Sequence, residues 1–276
     1  MVFGINNNFL YAVTHLRVVF AKGINEVAFE GTGFFVKKDK ELYLITNRHV
    51  IDLEYKDAGN RYSGYKLRTI SFDARRFDEQ NSRAVTQNYV ISRPTYKFAS
   101  DLYDDIACFY TIKVKGSVEL TPISIPYQML ADADFITNKL AACDRVALIG
   151  FPAGVWDVKN NLPILRSGVI SSDPRLDYNN QLSSAGHVIG YEAFSTGGAS
   201  GSPVFALQKG FQIDGDLNIS DEFYRETRLI GINAASVHMG DGHQQMSLMY
   251  KANYIMDLID ACEEKKDTAT TESNAE

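Results

Sequence analysis

The sequence has little cysteine, proline or tryptophan, and it has no excess of positive charge. Its 276 residues include 3 cysteines, 7 prolines and 1 tryptophan, and the net charge is −6. Proteins that bind a phosphate backbone carry clustered lysine and arginine, so we expect no nucleic-acid partner. No apolar run approaches the roughly 20 residues that a membrane-spanning helix needs, so we expect no membrane partner.

The cysteine pattern and the N-terminal residues bear on the compartment. Cys108, Cys143 and Cys262 are widely spaced and odd in number, unlike the cysteines of a disulfide framework. The first residues lack the basic segment and apolar stretch of a secretory signal peptide. Disulfides persist in oxidising compartments, so we expect reduced thiols and a cytoplasmic location.

Short runs of β-branched and aromatic residues, separated by turn residues, dominate the chain. Such runs predict strands. Six lie at 10–20, 27–36, 43–46, 67–72, 89–91 and 106–112, and six more at 145–150, 164–170, 188–194, 203–207, 229–234 and 247–250. The polar segment 73–82 is predicted to be a surface loop. Two similar halves of this kind predict an all-β protein made of two small barrels.

The same pattern suggests domain boundaries. Residues 1–120 form the N-terminal barrel, 121–139 a connector, and 140–252 the C-terminal barrel. The spacing of Ile255, Leu258, Ile259 and Cys262 is helical, so residues 253–276 are expected to form an amphipathic helix followed by a disordered tail.

One stretch, residues 194–205, carries the clearest chemical signal. It places Ser200 among glycines and other small residues, between two apolar runs that read as strands. Glycines allow backbone N–H groups to approach a common point, and a serine beside such donors suits acyl transfer. An ordinary glycine- and serine-rich hairpin turn is the alternative interpretation.

A serine nucleophile needs a base and an acid that orients the base. His49 follows an apolar run at the end of a predicted strand, and Asp105 opens another apolar run. A carboxylate at the start of a buried strand needs a hydrogen-bond partner, and His49 is a natural one. His49 as a core histidine, and Asp104 or Asp101 as the acid, remain open alternatives. Ser202 suits a structural role.

The order histidine, aspartate, serine leads to a resemblance. The chain resembles trypsin-like serine proteases of the chymotrypsin fold, in their bacterial branch without disulfides, such as the catalytic domains of glutamyl endopeptidases and heat-shock serine proteases. The main motifs that carry it are Gly31-Thr32-Gly33-Phe34, Thr46-Asn47-Arg48-His49-Val50, Asp105-Ile106-Ala107 and Gly198-Ala199-Ser200-Gly201-Ser202-Pro203. Secondary matches lie at 146–152, 167–171 and 229–233, and the resemblance as a whole covers roughly residues 27–256.

The resemblance implies two six-stranded antiparallel barrels with a site between them. His49 would be the general base, Asp105 its orienting acid and Ser200 the nucleophile. The N–H groups of Gly198 and Ser200 would form the oxyanion hole.

The resemblance also implies a substrate-binding set: Phe194, Ser195, Asn233, Ala234, Ala235 and Ser236. Phe194 stands at the base-of-pocket position where trypsin-like enzymes carry an acid, and Asn233 stands where glutamyl endopeptidases carry a histidine. We therefore expect a small or uncharged residue at P1. Residues 234–236 are expected to pair with the substrate as an added strand.

These features together predict a serine endopeptidase that acts on polypeptides through an acyl-enzyme, without metal or cofactor. His238 and His243 flank a glycine-containing loop, but without further ligands at suitable spacing we expect a surface loop there. The alternatives are a latent protease fold that only binds peptides, and a protease activated by a protein partner.

Overall fold

The computed structural model describes residues 5–78, 83–110, 112, 122–153, 155–179, 186–210, 224–238 and 244–273. The predicted domain boundary at 120–121, His243 and the last three residues lie outside these ranges. Strands dominate the described chain, and four α-helices accompany them. No helix in these ranges is long and apolar enough to cross a membrane.

The first unit is one sheet. It contains β1 (Val13–Lys22), β2 (Asn25–Lys38), β3 (Glu41–Thr46), β4 (Lys66–Asp78), β5 (Arg83–Ser92), β6 (Tyr96–Phe98), β7 (Ala107–Phe109) and β8 (Ile125–Pro126). The strand order is β5-β4-β1-β2-β3-β7-β6, and β8 pairs in parallel with β2. Two short helices, α1 (Asn8–Tyr11) and α2 (Arg48–Ile51), precede β1 and follow β3.

The second unit is a closed six-stranded barrel. Its strands are β9 (Arg145–Gly150), β10 (Ile164–Ile170), β11 (Val188–Glu192), β12 (Pro203–Ala206), β13 (Arg228–His238) and β14 (Gln244–Lys251), in the order β10-β11-β14-β13-β12-β9. A 3₁₀ turn (Tyr127–Met129) and α3 (Ala133–Lys139) connect the units, and α4 (Ala252–Ser273) follows β14.

The all-β, chymotrypsin-like class is therefore confirmed, with differences in detail. The six-strand count holds for the second unit, whereas the described residues of the first unit form an eight-stranded sheet. The two strands that were not predicted are β6 and β8. Residues 73–78 of the predicted loop belong to β4, where Ala74 and Arg75 are buried, and residues 79–82 lie outside the described ranges. The helix also extends to Ser273, further into the predicted tail than expected.

The two units and α4 share one hydrophobic core. That core joins Phe34 and Ile45 of the first sheet to Leu148 and Phe205 of the barrel and to Ile255 of α4. A second cluster lies within the first sheet alone. Because burial of apolar side chains is the main favourable term in folding, the shared core holds the two units against each other.

A buried ion pair lies just before the first barrel strand, β9. The carboxylate of Asp144, just before β9, accepts hydrogen bonds from Arg225 Nη1 (2.5 Å), Lys209 Nζ (3.0 Å) and the Ala141 N–H (2.9 Å). The Asp144 and Arg225 side chains are 4% and 3% exposed. Removing one partner of such a pair leaves the other charge buried and uncompensated.

We therefore expect Asp144→Ala to lower the free energy of unfolding by about 3 kcal/mol, measured by urea denaturation at neutral pH. Asp173→Ala is the matched control, because Asp173 pairs with Arg175 on the surface. The control should change stability little. Equal effects of the two substitutions would contradict this assignment.

Candidate active site

The Asp105 carboxylate is held by His49. The His49 ring Nδ1 lies 2.5 Å from Asp105 Oδ2, and the His49 backbone N–H donates to Oδ1 at 2.8 Å. Asp105 is buried, whereas the His49 side chain is 37% exposed. The ring is thus oriented through Nδ1, which leaves Nε2 as its outward-facing nitrogen.

Local structure explains how His49 reaches this position. β3 ends at Thr46, and Asn47 starts the single helical turn α2 that carries the imidazole. The buried Asn47 side chain donates from Nδ2 to the Asp105 carbonyl at 2.7 Å. The hydrogen bond from Asn47 therefore fixes the backbone segments of His49 and Asp105 to each other, in addition to the bond between their side chains.

The neighbouring carboxylate, Asp104, has a different partner. It accepts the His187 N–H at 3.0 Å, and its oxygens lie 3.0 and 3.1 Å from His187 Nδ1. His187 stacks on Tyr254 at a ring-centroid distance of 4.1 Å. The geometry separates the adjacent aspartates: Asp105 faces His49, and Asp104 ties the first unit to the start of the barrel strand β11.

Asp101 does not contact His49. Its carboxylate accepts the Tyr103 N–H at 2.8 Å. Asp101, Asp104 and His187 offer three ligand atoms within 4.8 Å of one another, a group that could hold a metal ion. Binding there would compete with the hydrogen bonds that Asp104 already makes to His187.

Ser200 reaches the site from the second unit. The Ser200 carbonyl accepts the Thr32 N–H of β2 at 2.9 Å. An ideal Cβ placed on Gly31 would lie 3.0 Å from Val50, the residue after His49, and 3.7 Å from the Ser200 carbonyl oxygen. The serine loop thus lies against the segment that carries His49. No Ser200–His49 hydrogen bond is present among the described residues, and such bonds are often long before substrate binds.

Two backbone donors beside Ser200 are unused. Within the described ranges, no acceptor bonds the N–H of Gly198 or that of Ser200. Gly198 has φ +85°, and a Cβ there would lie 2.6 Å from the Phe151 carbonyl oxygen. Only glycine fits this backbone conformation in this space. Unused N–H groups flanking a serine hydroxyl are the arrangement that stabilises an oxyanion.

A buried polar network lies below the serine loop. Asn233 donates from Nδ2 to Ser195 Oγ (3.1 Å) and to the Ala199 carbonyl (2.9 Å), and its Oδ1 accepts the Tyr191 hydroxyl (2.7 Å). Burial raises the pKa of Tyr191, so its hydroxyl stays protonated as the donor. Ser195 and Asn233 are 6% and 1% exposed. The network contains no charged group.

Phe194 does not lie at the base of a pocket. Its side chain is 64% exposed, with the Arg166 guanidinium 5.2 Å from the ring centre. Ser195, the next residue, is buried and bonded to Asn233. Phe194 borders an open groove of about 470 Å³, lined by Ser167, Gly168, Val169, Glu192, Ala193 and Met246.

The strand β13 presents an edge beside the serine loop. Pro203 of β12 pairs with Ile232, and the Gly201 N–H donates to the Asn233 carbonyl at 3.0 Å. Beyond this point the register shifts at Ala234, and Ala235 and Ser236 pair with β14. Ala234 is buried, Ala235 exposed and Ser236 half-buried. Among the described residues, the opposite edge of this segment has no strand partner.

Some site residues carried no sequence signal of their own. Thr32 lies inside a motif used for the resemblance, but its role depends on contacts more than 160 positions away along the chain. Tyr191 and His187 belong to or adjoin an ordinary apolar strand. Only the folded structure brings them to the site.

Comparisons with known proteins follow this geometry. Among solved structures, the chain is similar to "HtrA-type protease AlgWS227A with decapeptide", with 16% identity and a TM-score of 0.53. That alignment covers 94% of this chain but 65% of the other, so the chain spans less than two thirds of that protein's length. No curated protein matches the sequence.

A family model described as a trypsin-like peptidase domain matches residues 31–212. The matched segment includes His49, Asp105 and Ser200, together with the Gly198 loop and the Asn47 turn. It covers roughly two thirds of the sequence. The chain therefore belongs to the trypsin-like peptidase family.

Proposed function

We propose that this member of the trypsin-like peptidase family is a serine endopeptidase that uses Ser200, His49 and Asp105. The observation that carries the proposal is the Asp105 carboxylate, bonded to both the ring and the backbone of His49 beside the serine loop. The unused N–H groups of Gly198 and Ser200 support it, because acyl transfer requires donors at that place.

The proposed reaction has two steps. His49 Nε2 removes the Ser200 proton as Oγ attacks the scissile carbonyl, and Asp105 stabilises the imidazolium. The carbonyl oxygen becomes an oxyanion between the Gly198 and Ser200 N–H groups. Collapse breaks the C–N bond, and His49 gives its proton to the leaving amine. Water, activated by His49, then hydrolyses the acyl-enzyme.

We propose a polypeptide substrate that adds a strand to residues 234–236. The edge of β13 opposite β14 supplies backbone donors and acceptors for such pairing. The S1 pocket would end on the Asn233 network, whose donors are already engaged and which carries no charge. A charged P1 side chain would lose its hydration there without gaining an opposite charge, so we propose a small or uncharged P1 residue.

We also propose a cytoplasmic location. In the described chain none of the three cysteines forms a disulfide, and Cys108 and Cys262 are buried as thiols. Protein thiols remain reduced in the cytosol. Fractionation of source cells with compartment markers tests this proposal.

Labelling with a fluorophosphonate probe tests the nucleophile. We expect the purified parent protein to label, and Ser200→Ala and His49→Ala to lose labelling at least about 100-fold in rate, because both the nucleophile and its base are needed. Ser202→Ala is the matched control, since its buried hydroxyl has no partner among the described residues. An unlabelled parent would instead support the latent or partner-activated alternative.

The two adjacent aspartates give a sharper test of the triad. We expect Asp105→Asn to lower kcat by about 10⁴-fold, because the amide favours the wrong His49 tautomer. Asp104→Asn keeps an oxygen acceptor for His187 and should change kcat less than about tenfold. Steady-state kinetics on one peptide substrate measure both, and the reverse order would reject the assignment of Asp105.

The P1 proposal is tested with a peptide library that varies only this position. We expect kcat/KM for alanine, valine or threonine at P1 to exceed that for aspartate, glutamate, lysine or arginine by about 100-fold, the effect of leaving a buried charge unpaired. A preference for any charged residue would contradict the uncharged base formed by Asn233.

A further inference from the structure

Thr32 connects the first sheet to the serine loop through its side chain and backbone. Its hydroxyl donates to the Gly198 carbonyl at 2.8 Å and accepts the Phe151 N–H at 3.0 Å. Its backbone N–H donates to the Ser200 carbonyl at 2.9 Å. The side chain is fully buried. A single threonine therefore bonds the carbonyl groups of Gly198 and Ser200, the two residues that supply the proposed oxyanion donors.

These contacts fix two successive peptide groups of the loop. The peptide between Gly198 and Ala199 is held at both ends. Its carbonyl, that of Gly198, accepts the Thr32 hydroxyl, and its N–H, that of Ala199, donates to the Thr196 carbonyl at 3.0 Å. The preceding peptide is held at the Gly197 carbonyl by the Ala153 N–H, at 2.8 Å. Because N–H and C=O of a trans peptide point in opposite directions, holding the Gly197 carbonyl directs the Gly198 N–H away from Ala153.

The same hydroxyl also steadies the segment that supplies Ala153. Phe151 donates its N–H to Thr32 Oγ1, and Ala153 follows two residues later. Thr32 thus holds the Gly198 carbonyl directly, and it supports the bond from Ala153 to the Gly197 carbonyl through residues 151–153. Its own carbonyl accepts the Thr46 hydroxyl at 2.7 Å, which ties this arrangement to the end of β3, next to the His49 turn.

Glycine makes such a tether necessary. Gly197 and Gly198 are adjacent, and without side chains their φ and ψ angles are the least restricted of any residue. A Cβ at Gly197 would meet nothing within 4 Å, so neighbouring atoms do not confine that residue. The hydrogen bonds from Thr32 and Ala153 supply the restraint that the glycines lack.

We propose that Thr32 is a positioning residue for the oxyanion site, in which its hydroxyl fixes the Gly198 carbonyl and, through residues 151–153, the peptide that carries the Gly198 N–H, one of the two oxyanion donors. The inference rests on the proposed function. Correct placement of these donors matters mainly after the carbonyl becomes tetrahedral, so Thr32 acts on kcat more than on KM.

Three substitutions test this role. Thr32→Val keeps the shape and removes the hydroxyl, Thr32→Ser keeps the hydroxyl, and Thr14→Val is the matched control. Thr14 is also buried in a strand, and its hydroxyl donates to the Asp73 carbonyl at 2.8 Å, away from the serine loop. We expect kcat to fall about 100-fold in T32V with KM within about threefold, and T32S and T14V to stay within about threefold of the parent.

A peptide aldehyde inhibitor gives a second readout, because its hemiacetal oxygen occupies the oxyanion site. Its inhibition constant should rise about 100-fold in T32V and stay within threefold in T32S and T14V. Circular dichroism checks folding, and Thr32→Ala replaces the valine variant if valine is not accommodated, with at least a tenfold fall in kcat expected.

The outcomes separate the two proposals. In an active parent, unchanged kcat and aldehyde affinity in T32V would overturn the role of Thr32 and leave the endopeptidase intact. Equal losses in T32S and T32V would also overturn it, because the hydroxyl would not be the cause. A parent without any hydrolysis or labelling would reject the proposed function and this inference with it.

Discussion

A buried carboxylate must be paired or hydrogen-bonded, and at Asp105 this requirement organises the site. Its carboxylate oxygens bond the ring Nδ1 and the backbone N–H of His49, and its backbone carbonyl accepts a hydrogen bond from the Asn47 side chain. One acidic residue therefore holds the α2 turn and the Nδ1 side of the His49 imidazole. The charge is accommodated only in the geometry that general-base catalysis also needs.

The serine loop comes from the barrel, whereas His49 and Asp105 come from the first unit, and hydrogen bonds join the two parts. Thr32 and Thr46 connect β2, β3 and the serine loop, while the shared core holds the two units together behind them. Apolar packing sets the approximate distance between the units. Directional hydrogen bonds then fix the orientation of single peptide groups, which packing alone does not control.

The sequence predicted the fold class, and it also gave candidates for the site, but not the contacts that surround them. His49, Asp105 and Ser200 could be proposed because each lies at the edge of an apolar run in a short local motif. The choice between Asp104 and Asp105 depended on two histidines 138 positions apart, one on each unit. Phe194, expected at the base of the pocket, is instead exposed beside Arg166, a contact between distant residues that the sequence does not show. The polar segment after residue 72 concealed the second half of β4, whose Arg75 guanidinium donates to the Val13 carbonyl.

The Asp104–Asp105 dipeptide also has a mechanical consequence. Asp105 holds His49 within the first unit, whereas Asp104, 1% exposed, holds His187 of the barrel. Separating the units at this end would leave the buried Asp104 carboxylate without its His187 partner, at a large cost in free energy. At this end of the cleft a buried contact therefore ties the two units together, in addition to the shared core and the Thr32 hydrogen bonds. Because Asp104 and Asp105 are adjacent, the residue that holds His49 and the residue that holds the barrel are separated by one peptide bond.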